Sequence, residues 1–140
     1  MPDTEPLKIV AVLVASTDPV ASRTISTVLG ISNEYYVRNV NSESAALAIL
    51  NGIRFDLLIV DIDPHGPNGL DGFELIKQVV GRQLLVDKQV VVLTSLPVSD
   101  ATVRWLTDRR FKILPKPLKR SQVLGAIRDS VNEIRKSGAA

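Results

Sequence analysis

The chain contains no cysteine, which excludes a disulfide framework and any thiolate metal centre. Aromatic residues supply only 4% of the 140 positions, so the core has to be built from Val, Leu and Ile. No stretch reaches the roughly 18 consecutive apolar residues that a membrane helix needs. The apolar run Ile9 to Ala15 is too short for a secretory leader, and Asp3 and Glu5 stand before it where a basic segment would be required. Neither sign of charge dominates: 17 Lys and Arg against 15 Asp and Glu leave a formal +2. The basic residues are spread along the chain with a denser C-terminal third, too thinly to imply nucleic acid. Hydrophobic residues at 45% and charged residues at 23% are globular proportions. The expectation is a cytoplasmic protein without membrane or direct nucleic-acid contact. It reads as one domain over residues 1–140, with a core of about 7–136 and short flexible tails.

Five strand-like runs alternate with five helix-like segments. The strands are expected at Leu7–Ala15, Tyr36–Val40, Phe55–Val60, Gln89–Leu93 and Phe111–Leu114. The first, third and fourth are almost continuously apolar, as strands buried on both faces are. The second carries Arg38 and Asn39, which suits an edge. Helix starts are signalled by Asp18-Pro19, Ser42, Asp71, Ser99 and Ser121. Val98 and Val103 are spaced for a hydrophobic staple around Ser99. Strict alternation of this kind predicts an α/β fold, a parallel sheet with helices on both faces and right-handed crossovers.

Three apolar runs end in polar residues of complementary chemistry: Asp61, Thr94 and Lys116. Strand ends on one edge of an open α/β sheet border its binding crevice. A carboxylate, a hydroxyl and an ammonium converging there can handle a phosphoryl group. The first strand ends in Ala15-Ser16-Thr17, with no acid.

In order and spacing, these pieces resemble the receiver domain of two-component response regulators across nearly the whole chain. The matching segments are Asp18-Pro19, Asp61, Asp71-Gly72-Phe73-Glu74-Leu75, Val91-Val92-Leu93-Thr94 and Leu114-Pro115-Lys116-Pro117. The resemblance implies a flavodoxin-like sheet of order 2-1-3-4-5. It implies that Asp61 is the phosphoacceptor, Thr94 the phosphate-sensing hydroxyl and Lys116 the phosphate-pairing ammonium. The Lys116-Pro117 bond corresponds to one that is cis in the family. A histidine kinase or phosphotransfer protein would be the donor. The output would be a contact with a downstream protein, or a homodimer, through the face of the fourth helix, fifth strand and fifth helix. Arg104, Arg109, Arg110, Lys112, Lys119 and Arg120 fall in or near that face. Trp105 is expected to be partly buried there.

The sequence departs from the family in three places. The acidic pair that ends the first strand is replaced by Ser16 and Thr17. Asp61 is therefore expected to face Lys116 alone in a pocket of near-zero charge, with Mg²⁺ affinity and phosphorylation both weak. Asp18 and Asp63 are the residues that could lean into the vacant metal position, though Asp18 already has a role as an N-cap and a loop Asp is ordinarily solvated. At the position of the family's aromatic rotamer switch stands Ile113. The segment between Asp61 and Gly72 is about three residues longer than the family's loop and carries the only histidine, His65, expected to be exposed and inert. The chain ends just after the fifth helix, so no catalytic or DNA-binding output is expected. Two alternatives are a flavodoxin-like ligand-binding or enzymatic module and the receiver part of a DNA-binding regulator. Flavin binding would require a Gly-rich or hydroxyl-rich first loop and flanking aromatics. Ser16-Thr17 only hints at the former.

Overall fold

The computed structural model describes residues 9–63 and 70–136. Among them are five strands, β1 (Val10–Ala15), β2 (Tyr35–Val40), β3 (Leu57–Asp61), β4 (Val90–Thr94) and β5 (Lys112–Pro115). Between and after these run α1 (Pro19–Leu29), α2 (Glu43–Gly52), α3 (Gly72–Gly81), α4 (Ala101–Asp108) and α5 (Arg120–Lys136). A 3-10 turn at Asp87–Gln89 leads into β4. The strands form one parallel sheet of order β2-β1-β3-β4-β5, as the alternation and the resemblance imply.

Side-chain alternation divides the core in two. Val12, Val14, Leu57, Ile59, Val91 and Leu93 pack beneath α1 and α5, against Ile25, Leu29, Val123 and Ile127. Leu13, Leu58, Val60 and Val92 face the other way, against Leu50 of α2, Leu75 and Val79 of α3 and Leu106 of α4. β2 lies at the edge, and none of its residues is fully buried.

β1 begins at Val10, the expected start at Leu7 lying outside the described residues; the other strand boundaries move by a residue or two, with consequences at the site. β3 extends through Asp61 and β4 through Thr94, so both candidate side chains lie on the final pleat of a strand and inherit its rigidity. Asp18 caps α1, Ser42 caps α2 and Asp71 caps α3, each through its side chain. Two expected caps are corrected. α4 is capped by Asp100, whose carboxylate accepts from the Thr102 and Val103 amides. Val98 is then 86% exposed and forms no staple; Ser and Asp are comparable caps, and the path of the chain puts Asp100 rather than Ser99 at the helix start. α5 begins at Arg120, which puts Ser121 inside the helix. The Lys116–Pro117 bond is cis.

Candidate functional site

The cluster at the carboxyl edge is assembled from four strand ends. β1 and β3 are sheet neighbours whose following helices go to opposite faces, and that divergence opens a crevice between them. Asp61 sits at its floor, 1% exposed. Ser16, immediately after β1, donates its hydroxyl to Asp61 Oδ2 at 3.0 Å. Lys116, just beyond β5, donates to the same oxygen at 2.7 Å. Its backbone amide bonds to the Thr94 carbonyl at 2.9 Å, which fixes the start of its side chain against β4.

Asp61 does not face Lys116 alone. The ammonium also lies 3.0 Å from Asp18 Oδ2 and 3.3 Å from Asp63 Oδ2. Among the described residues the expected neutral pair is corrected to three carboxylates around one ammonium, a formal charge of about two negative. The charge argument for weak metal binding therefore fails. Asp18 reaches the cluster because its oxygens divide the labour: Oδ1 accepts from the Val20 and Ala21 amides as the helix cap, leaving Oδ2 for Lys116. Asp63 is not a solvated loop residue either, being only 7% exposed. Its amide donates to Asp61 Oδ1 at 2.9 Å, and the chain bends at Asp63 just after β3, so this turn brings the two acids together.

Asp63 accepts three hydrogen bonds from the end of β4. Thr94 Oγ1 donates to its Oδ1 at 2.6 Å, and the Ser95 amide and hydroxyl both donate to its Oδ2 at 2.8 Å. Burial alone would raise its pKa, but the Thr94 and Ser95 hydrogen bonds and the Lys116 charge bring it below the usual carboxylate range. Asp18 behaves the same way: burial opposes, while the bond from Lys116 and the helix-start amides prevail and lower it. For Lys116 burial acts to lower the pKa, and the bonds to Asp61 and Asp18 overcome it and raise it. Among the described residues no buried side-chain polar atom lacks a hydrogen-bond partner.

Oxygen donors of this kind suit Mg²⁺, but their arrangement does not. All three carboxylates point at the Lys116 nitrogen, and both oxygens of Asp63 are engaged by hydroxyl and amide donors. Among the described residues no group of three His, Cys, Asp or Glu is spaced to hold a metal ion. Thr17 stands beside the cluster, partly exposed, in a surface depression shared with Pro19, Ser22 and Asn41. Ile113 is half-buried and packs on the α3–α4 side of the sheet. The longer loop and His65 fall largely or wholly within residues 64–69, outside the described residues.

Sequence reasoning undervalued Asp18, Asp63 and Ser95. The signals were present: an Asp-X-Asp spacing at the end of β3, and a hydroxyl-bearing residue following Thr94. On the output side, Trp105 is half-buried as expected. Its ring meets Phe73 edge-on at 5.1 Å, stacks with Phe111 at 6.3 Å and carries the Arg109 guanidinium 3.7 Å above it. Arg104, Arg109, Arg110, Lys119 and Arg120 are exposed, and Lys112 is half-buried.

A doubly wound five-stranded sheet with an acid–lysine cluster at its carboxyl edge defines a class of signalling receiver modules. The chain belongs to the response regulator receiver domain family, whose model matches residues 12–128. Solved structures share the fold at low identity. The chemotaxis response regulator CheY4 of Vibrio cholerae aligns with TM-score 0.70 and 20% identity, over 88% of this chain and 99% of that one. A CheY-like receiver domain protein from Methanospirillum hungatei aligns with TM-score 0.75 and 16% identity, over 93% and 99%. A response regulator from Chloroflexus aurantiacus aligns with TM-score 0.73 and 22% identity, over 89% and 99%. Among curated proteins no sequence match is found. Among the described residues no helix is long and apolar enough to cross a membrane.

Proposed function

We propose that this protein is a receiver-type signalling module whose output is a protein contact and whose Mg²⁺-dependent phosphorylation at Asp61 is weak or absent. The observation that carries this reading is the Lys116 ammonium at 2.7, 3.0 and 3.3 Å from Asp61, Asp18 and Asp63. A cation is already seated where the three carboxylates converge. A metal ion would have to displace an ammonium tied by several charge-assisted bonds. The Asp61 carboxylate is a competent nucleophile by type, but Lys116 and Ser16 both hold its Oδ2.

The output surface in this reading is the face of α4, β5 and α5, where Trp105 offers an aromatic anchor and Arg104, Arg109 and Arg110 offer positive charge. The partner is a downstream protein or a second copy of the chain. Any phosphoryl donor would be a histidine kinase or a phosphotransfer protein. We assign the chain no catalytic turnover of its own, one domain and a cytoplasmic place.

The test is incubation with acetyl phosphate and Mg²⁺, followed by intact mass. The expected result is little or no added phosphoryl mass. A substantial Mg²⁺-dependent gain that disappears in Asp61→Asn would overturn the reading.

A further inference from the structure

The donors at the end of β4 form a seat for an anion, and the chain's own Asp63 sits in it. Thr94 Oγ1, the Ser95 amide, the Ser95 hydroxyl and the Lys116 ammonium converge on this one carboxylate at 2.6, 2.8, 2.8 and 3.3 Å. An aspartate serving only as a turn former would bond to its own neighbouring amides and stay wet. Asp63 instead crosses to residues 31 and 32 positions away and is almost fully buried. Backbone and side-chain donors together, with an ammonium beside them, are the chemistry that recognises an oxyanion.

The seat lies within reach of Asp61. The Asp63 amide holds Asp61 Oδ1 at 2.9 Å, and Lys116 bridges the two carboxylates. A phosphoryl group attached to Asp61 would carry its charge into the same donors. It would meet Asp63 already there, and like charges so close repel strongly. One seat serves one anion.

We propose that the Asp63 carboxylate is a built-in anion that occupies the Thr94–Ser95–Lys116 seat and holds the β4–α4 connection in its anion-bound arrangement without phosphoryl transfer. This deepens, and rests on, the reading of the chain as a receiver with a protein-contact output. It makes that output independent of any phosphodonor. The Thr94 hydroxyl also accepts from the Leu96 amide at 3.0 Å, so Asp63 orders the first residues of the connection that leads to α4.

The experiment compares wild type with Asp63→Asn by amide NMR, with and without beryllofluoride, a phosphoryl mimic that adds to aspartate carboxylates. Without any phosphodonor, the wild-type Ser95 amide proton should lie downfield. In Asp63→Asn it should move upfield together with Thr94 and Leu96. Asp63→Asn should then take beryllofluoride at least about tenfold more tightly than wild type, the scale of one charge-assisted hydrogen bond. Unchanged Thr94 and Ser95 resonances in Asp63→Asn would overturn the proposal, as would equal beryllofluoride affinity in the two proteins. If Asp63→Asn fails to fold, Thr94→Val is used and the Asp63 carboxyl carbon is followed. A shift supports the contact; no shift refutes it. The broader reading is judged separately by phosphoryl mass on wild-type Asp61, so its failure is distinguishable from that of the Asp63 seat.

Discussion

Asp18 binds the amides at the start of α1 with one oxygen and Lys116 with the other. An assignment of one role per residue reads the first and overlooks the second, and this is why the cluster's composition was only partly legible in the sequence. Asp61, Thr94 and Lys116 announce themselves by ending apolar runs. Asp63 lies beyond the strand, where sequence alone cannot distinguish a solvated turn from a chain folded back on itself. Removing Lys116 should be costly. Its side chain is 12% exposed and Asp61 only 1%, so Lys116→Ala leaves buried carboxylates uncompensated, at a cost of about 3–5 kcal/mol by chemical denaturation. The pH dependence follows from the shifts. Asp18 and Asp63 are lowered, so their stabilisation is complete above the usual carboxylate pKa and is lost as pH falls below about 4. Lys116 is raised, so its contribution is complete below about pH 10 and fades only as pH rises beyond that. The stability difference between wild type and Lys116→Ala should be flat between about pH 5 and 10 and shrink in acid. A difference that grows in acid would contradict this cluster.

At the level of elements, helix starts show what sequence spacing can and cannot decide. Asp18-Pro19 and Asp71-Gly72 were readable because capping residue and context agree. At Ser99-Asp100 two good caps stand side by side, and only the path of the chain selects Asp100. Asp100→Ala should therefore cost about 1 kcal/mol, while Ser99→Ala should stay within about 0.5 kcal/mol of wild type in thermal or denaturant unfolding. Equal costs would return the cap to Ser99. Gly72 shows another limit. A Cβ there would press into the Asp61 carbonyl, so glycine at this point lets α3 start against the end of β3. The sequence signals the turn but not the close approach. Arg110 takes φ 65° just after α4, a left-handed conformation that its side chain does nothing to announce.

For the molecule as a whole, the fold was legible because two independent periodicities agree. Apolar runs of strand length and helical stripes such as Val123, Ile127, Val131 and Ile134 alternate without interruption, and the sheet order follows. The site was legible in position but not in charge. The missing acids after β1 suggested a neutral pocket, whereas acids from the α1 cap and the segment after β3 enter the same space. Geometry decides the outcome: Lys116 already sits among the three carboxylates, and Asp63 already sits on the Thr94 and Ser95 donors. The most direct measurement is thermal unfolding with Mg²⁺ titrated into wild type and Lys116→Ala, since an ion that binds the folded state raises Tm by mass action. Wild-type Tm should move little at millimolar Mg²⁺, and that of Lys116→Ala, whose three carboxylates have lost their ammonium, should rise clearly. A wild-type Tm that climbs as steeply as the variant's, or more steeply, would contradict this geometry.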